Sequence, residues 1–400
     1  MADSFRTQGF FDDLVYPALK TADPQPAYVE FSRKCPVAHN PDGTVTVVRY
    51  EDIKFINQSP DVLGNGHSGP GIVGAKTRLI PLDLDGPEHR RWRELLNPLF
   101  TPRRMKPLEP QIRARARELL DTFADDGQAD VFHAWCEPLP SSIFLSILGL
   151  PQEDLTYFLD FMNSQLHPDP TKTREENVAR QRLGAQRCYD YVDALIEDRR
   201  QRDEPGDDLV GWLLTLEDLD GKRLSREDIH AVMYLFLLAG LDTVASTLGN
   251  SLSYLARHPD NRKLLLDQPA LWPTAVEELL RYDPAIPFIA RKATADLLLP
   301  SGETIAAGTV INVSLPSANL DPTVFPDPLE VDFERQPNAH VTFANGWHRC
   351  VGSHLARLEV RAALEEFHAR IPNYHIKPGF ELRYSHDPRA PRRLPLVWGD

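Results

Sequence analysis

The segment Ala231 to Leu241, AVMYLFLLAGL, contains no charged residue, and it lies inside a longer helical pattern that opens at Ser225-Arg226-Glu227-Asp228 and runs to about Arg257. At ~1.5 Å per residue such a helix is roughly 50 Å long, enough to cross a whole globular domain. A helix that is apolar all round in its middle is a buried helix. The apolar run is too short for a bilayer, which takes ~20 apolar residues. The chain therefore has to build its other elements around one long central rod.

The rest of the composition agrees with a packed soluble protein. Apolar residues make up 42% and charged residues 26% of the 400 residues, which is a globular and not a disordered balance. The net charge of −14 argues against general nucleic-acid binding or attachment to an anionic membrane. The cysteines, Cys35, Cys136, Cys188 and Cys350, form no C-x-x-C pair, so structural zinc and a disulfide framework are both disfavoured. MADSFRTQGF has neither a basic start nor an apolar core, and no signal peptide is read there. A cytoplasmic protein is expected.

Residues 36–49 read as a hairpin around Pro41-Asp42-Gly43. Asp85 and Glu88 have the spacing of a capping box at a helix start. Residues 106–126, 138–149, 151–166, 173–203 and 351–370 read as further helices, and 287–315 as a second hairpin-rich region. The expected class is mainly α with a minor β portion, in a single domain spanning 1–400. Gly64-Asn65-Gly66-His67-Ser68-Gly69 fits G-x-G-x-x-G, but Pro70 follows where a dinucleotide site needs a helix to open. A glycine-rich loop is the better reading.

Phe343-Ala344-Asn345-Gly346-Trp347-His348-Arg349-Cys350-Val351-Gly352 places a thiol just before a helix, where unpaired N–H groups and the helix dipole stabilise a thiolate. Gly346 and Gly352 suit a tight turn and close approach by a flat ligand, and Ala344 is expected at an ordinary negative φ. A thiolate there is a nucleophile, a redox sensor or a metal ligand. The competing reading is a buried, inert cysteine.

This segment resembles the haem-binding loop of the cytochrome P450 family, F-x-x-G-x-x-x-C-x-G. Three other signatures stand in the same order: Ala239-Gly240-Leu241-Asp242-Thr243 resembles the oxygen-binding stretch, Glu278-Leu279-Leu280-Arg281 the E-x-x-R, and residues 319–335 the connection before the haem loop. The GLDTV stretch and the ending LPLVW are most similar to soluble bacterial camphor-hydroxylase-like members.

The resemblance implies a haem b held between the long central helix and the Cys-bearing loop. Cys350 would be the axial iron ligand, and His89, Arg93, Arg291 and His348 would hold the propionates. Glu278 and Arg281 would form a structural network with Arg335. Asp242 and Thr243 would deliver protons at a local opening of the helix over 239–243. The implied function is an O2-activating monooxygenase that oxidises a small apolar organic substrate, with electrons from an acidic ferredoxin and its NAD(P)H-dependent reductase. Arg90, Arg91, Arg103, Arg104, Lys106, Arg113, Arg115, Arg117 and Arg349 would supply its docking patch. The cavity lining would come from loop 62–80, the 160–172 connection, Leu238, Ala239 and Ala285–Ile289. Camphor itself is not implied, because loop 60–85 offers no Tyr. A peroxygenase, a haem isomerase or dehydratase, and a haem sensor or carrier without turnover remain as alternatives.

Overall fold

The computed structural model describes residues 15, 17–64, 74–169, 171–202, 204, 206–217 and 221–399. The longer helices, in chain order, are α1 (Gln25–Lys34), α2 (Tyr50–Gln58), α3 (Gly86–Leu96), α4 (Glu109–Leu120), α5 (Pro138–Leu148), α6 (Leu155–Leu166), α7 (Arg174–Arg200), α8 (Arg226–Arg257), α9 (Pro259–Asp267), α10 (Trp272–Tyr282) and α11 (Ser353–Arg370). The strands are β1 (Val37–His39), β2 (Val45–Val47), β3 (Val62–Leu63), β4 (Gln128–Asp130), β5 (Phe288–Ala293), β6 (Leu297–Leu298), β7 (Thr304–Ile305), β8 (Val310–Ser314), β9 (His375–Ile376) and β10 (Pro395–Val397). Helix dominates, as expected. The motif G-x-G-x-x-G lies, after Gly64, outside the described residues.

The chain divides into two compact units. The first comprises His67–Leu99 and Pro140–Asp242. Its helices α6 and α7 pack through aromatic rings: Tyr189 of α7 stacks on Tyr234 of α8 at 5.1 Å, and Phe161 of α6 meets Tyr234 edge-on at 5.4 Å. α7 opens with a capping box in which Thr173 and Glu176 satisfy each other's backbone N–H groups. α8 opens in the same way, with Ser225 and Asp228 exchanging hydrogen bonds of 3.0 and 3.1 Å. The box expected at α3 does not form. Asp85 is the N-cap residue without a side-chain capping bond, and Glu88 instead takes a two-pronged pair from Arg78, at 2.8 and 3.3 Å.

The second unit comprises Ala2–Gly66, Phe100–Leu139 and Thr243–Asp400. It holds a five-stranded sheet in the order β1-β2-β8-β5-β3 and a three-stranded sheet in the order β4-β10-β9. The expected 36–49 hairpin is β1–β2, with Ala38 opposite Thr46. β2 pairs in parallel with β8, and β8 antiparallel with β5, which sets Arg291 opposite Ile311. The apolar sides of these strands and of α2 share one core that includes Val45, Val47, Ile53, Ile56, Ile311 and Val313.

α8 runs without a break from Arg226 to Arg257. The most apolar window is 78% buried, so this is a core helix. The opening expected over 239–243 is not a break in the helix. Instead, Ser141 of α5 donates to the Leu241 carbonyl at 3.2 Å. Gly240 has a packing reason: a Cβ there would lie 2.6 Å from the Phe144 ring of α5.

Candidate active site

Burial along α8 lapses on one face. Leu235 and Thr243 are half-buried and Ala239 is exposed, with Gly240 beside it half-buried, while the other residues from Ala231 to Ser246 are buried. These positions are i, i+4 and i+8, a single stripe. A core helix thus keeps one accessible face of apolar side chains ending in a hydroxyl. Asp242 lies beside the stripe and is 1% exposed. Its carboxylate oxygen Oδ2 is 2.9 Å from His167 Nε2. Thr247 donates back to the Thr243 carbonyl at 2.9 Å.

The cysteine loop is built by long-range fastening. Gly346 has φ +74°, and a Cβ there would lie 2.0 Å from the Asn57 carbonyl oxygen at the end of α2. Asn57 donates to Asn345 Oδ1 at 2.9 Å, and Trp347 Nε1 donates to the Gln58 carbonyl at 3.3 Å. The Cys350 N–H donates to the Phe343 carbonyl at 2.9 Å and closes the loop. Ala344 has φ +54°, against the expectation of a negative value. The same turn that suits a glycine is adopted here by an L-residue, at a steric cost of about 1–2 kcal/mol.

A buried ionic network ties α10 to the connection that precedes that loop. Glu278 and Arg281 are both fully buried and pair at 2.7 Å. Glu278 also accepts from Arg335 at 3.1 Å, from the Asp332 N–H at 3.0 Å and from Asn338 at 3.0 Å. Burial opposes its charge, but Arg281 and the other donors hold its carboxyl below the usual range. Arg281 donates to the carbonyls of Asn319, Pro328 and Glu330. Every prong of the guanidinium is thereby used.

Sequence reasoning missed a second tie. Glu277, one residue before the E-x-x-R glutamate, grips Arg357 of α11 at 2.7 and 2.9 Å and meets His340 at 3.0 Å. Burial works against ionisation, yet His340 and Arg357 bring the Glu277 carboxyl down to about 2. The Arg357 guanidinium also lies 4.4 Å from the centre of the Phe343 ring, a cation–π contact. Asn57 was missed too; a lone Asn at a helix end carries no sequence signal for so distant a role.

The residues expected to hold the cofactor have the following positions. His89 and Arg93 share a face of α3; His89 is 3% exposed and Arg93 Nε donates to Asn97 at 2.8 Å. Arg291 lies on β5, 6% exposed, and donates to Asn57 Oδ1 at 3.0 Å and to the carbonyls of Gly64 and Ala290. His348 lies against Gly64, where an added Cβ would lie 2.0 Å from its Nε2. Arg291, His348 and Cys350 are thus gathered in the second unit, and His89 with Arg93 in the first.

The thiols separate cleanly. Burial pushes the Cys136 thiol well up and Cys188 to about 12, so neither ionises near neutral pH. The Cys35 thiol donates to the Val37 carbonyl at 2.8 Å. Cys350 is exposed, two residues before Gly352, the N-cap of α11. A Cβ at Gly352 would meet only the Cys350 sulfur, at 4.0 Å. An accessible sulfur at a helix start, open on its glycine side, fits a thiolate ligand to a flat metal-bearing macrocycle.

The chain matches the Cytochrome P450 family over residues 40–266 and 270–370. It belongs to the cytochrome P450 family. It is 34% identical to the vitamin D(3) 25-hydroxylase of Pseudonocardia autotrophica, with 94% of each chain covered. It is 35% identical to the mycinamicin IV hydroxylase/epoxidase of Micromonospora griseorubida, covering 88% of this chain and 89% of that one. Among solved structures, CYP109E1 of Bacillus megaterium in complex with testosterone superposes with a TM-score of 0.85 at 28% identity, over 94% of this chain and 98% of that one. This cytochrome P450 is a haem b-dependent monooxygenase that uses O2, an organic substrate and a redox partner.

Proposed function

We propose that this cytochrome P450 hydroxylates, or otherwise oxidises, a small apolar organic molecule, and that Cys350 would hold the haem iron as a thiolate. The reading is carried by one observation: Cys350 is the exposed thiol before the start of α11, on a loop fastened to the end of α2 through Asn57 and the Gln58 carbonyl. When bound, the haem would supply the iron that activates O2, and the Cys350 thiolate would make that iron more electron-rich. Arg291 and His348 would hold haem carboxylates, and the same role would fall to His89 and Arg93; guanidinium groups suit bidentate recognition of carboxylates. The accessible stripe of Leu235, Ala239 and Thr243 faces the substrate side. Asp242 holds a proton donor's position one residue before Thr243, whose hydroxyl passes protons on.

Relatives whose names specify vitamin D(3) and mycinamicin IV, and neighbours solved with testosterone or myristic acid, support an apolar organic substrate. Electrons come from an acidic ferredoxin served by an NAD(P)H-dependent reductase in the cytoplasm. The docking patch is smaller than the sequence suggests. Arg113 is paired with Glu109, Glu365 and Glu366, Arg117 with Glu366 and Arg115 with Glu118. Arg103, Arg104, Lys106 and Arg349 are exposed and carry the positive field that an acidic partner meets.

The reduced carbon monoxide complex tests the ligand. It is expected to show the thiolate-type Soret band, and Cys350→His to shift it to the position of imidazole-ligated haem. A parent protein lacking the thiolate-type band overturns the assignment.

A further inference from the structure

We infer that His167 is the residue through which Asp242 takes its protons from solvent. The inference rests on the reading of Asp242 as the proton donor and adds a group one step further out. His167 caps the C-terminal end of α6: its N–H donates to the Asn163 carbonyl at 3.1 Å, and its own carbonyl accepts from Arg180 Nη1 of α7 at 3.1 Å. The backbone is therefore held by two helices. From that fixed point the imidazole reaches α8, where Nε2 lies 2.9 Å from Asp242 Oδ2. The two side chains differ sharply in access to water. Asp242 is 1% exposed and His167 is 29% exposed.

A carboxylate buried that deeply exchanges protons slowly unless a titratable group links it to the surface. An imidazole has two nitrogens and takes up a proton at one while giving one up at the other. The step balances as follows. A solvent acid gives a proton to Nδ1, the proton on Nε2 passes to Asp242 Oδ2, and the ring is left neutral with its proton on Nδ1. Once Asp242 has passed its proton on, the neutral ring resets by giving the Nδ1 proton to water while water returns one proton to Nε2, so the proton count of the ring is unchanged and the net change is one proton from the solvent acid to Asp242. One proton moves inward and no electron is transferred. Among the described residues, Asp242 of α8 meets the His167 ring and Arg180 of α7 its carbonyl, and Asp169 follows two residues along the chain. Asp169 accepts from Thr171, through its hydroxyl and its backbone N–H, which keeps it ionised.

A competing role is purely structural: the hydrogen bond simply anchors the end of α6. His167→Gln separates the two, because Gln keeps an N–H donor for Asp242 but cannot carry a proton. With haem content and substrate-induced spectral shift equal to the parent, the variant is expected to lose about 10²-fold in turnover at unchanged substrate KM, with an increased solvent deuterium isotope effect. Turnover should recover in part as a small non-coordinating buffer acid is added. A second readout is independent of turnover. In the diamagnetic reduced carbon monoxide complex, the 15N-histidine signal lost in His167→Gln is expected to titrate at a lower pH in Asp242→Asn, which removes the anion beside the ring. Full turnover and an unchanged isotope effect in His167→Gln, with Asp242→Asn slowed, overturn the role of His167 and leave Asp242 standing. Full turnover in Asp242→Asn overturns both. A His167 titration indifferent to Asp242→Asn shows that the pair is not coupled in solution and overturns the inference.

Discussion

Glu277 and Arg357 join the helix of the E-x-x-R to the helix that follows Cys350 by two parallel hydrogen bonds of 2.7 and 2.9 Å. Bidentate carboxylate–guanidinium pairs fix orientation as well as distance. The pairing therefore sets the direction in which α11 leaves the cysteine loop. Glu277→Gln is expected to cost about 1.5–3 kcal/mol at neutral pH in thermal or denaturant unfolding of the haem-loaded protein. The folded carboxyl titrates at about 2, below its usual 4.5. Its stabilisation is thus complete above ~4.5 and is lost as pH falls toward ~2. An acid titration of the variant should show a shallower loss of stability across that window. Equal slopes would mean that the pair contributes nothing in solution.

Glu359 gives the opposite sign. It lies on α11, 4% exposed, with its Oε1 making no hydrogen bond, and burial raises its carboxyl well above the usual value. A raised folded value means that stability is greatest below ~4.5 and declines as pH rises toward the folded value, by about 1.4 kcal/mol per pH unit. Glu359→Gln is expected to raise the unfolding temperature at pH 8 and to change it little at pH 4.5. A variant that is less stable at pH 8 would show that the charged form is needed.

Ala344 and Gly346 share the left-handed region, with φ +54° and +74°. Ala344→Gly is expected to stabilise the haem-loaded protein by about 1 kcal/mol, because the Cβ strain disappears. Gly346→Ala should instead lose haem, since its Cβ would lie 2.0 Å from the Asn57 carbonyl. Haem retention on dilution, read by absorbance, checks both. The contrast also shows where the sequence was misleading. Nothing in the letter Ala announces a positive φ, so the expectation rested on propensity, and the fastening of Asn345 to Asn57 overrode it.

Thr243→Ala and Asp242→Asn are expected to fail differently. The first should keep NAD(P)H consumption and divert its electrons to hydrogen peroxide. The second should slow consumption itself, by ~10²-fold or more. Product and peroxide per NAD(P)H measure both. Full coupling in Thr243→Ala would place the proton path on other groups.

Arg104→Glu is expected to slow reduction by an acidic ferredoxin severalfold at low salt and to flatten the salt dependence. Arg113→Glu should act through stability, because its guanidinium holds α4 to α11 by way of Glu109, Glu365 and Glu366. Stopped-flow reduction and thermal unfolding distinguish the two. Loss of stability in Arg104→Glu instead would remove it from the docking surface.

The long rod of α8, the 36–49 hairpin and most helix boundaries were legible because periodicity and turn chemistry are local. Cys350, Glu278 and Arg281 were legible because their spacing is a motif. Asn57, Glu277, His340 and His167 were not. Each acts on a partner distant in the chain, and an isolated Asn, Glu or His carries no pattern. The box at Asp85 failed for a related reason: Arg78 competes for Glu88 with a full charge, which a backbone N–H does not match.

The Asn57–Asn345 bond spans 288 positions of the chain. A ribosome making about 5–20 residues per second releases the first partner long before the second exists. No seat for the prosthetic group can close around the nascent polypeptide until Asn345 has emerged. Insertion of the iron macrocycle therefore waits for the segment that carries Asn345 and Cys350, and polypeptide without its prosthetic group precedes every working molecule.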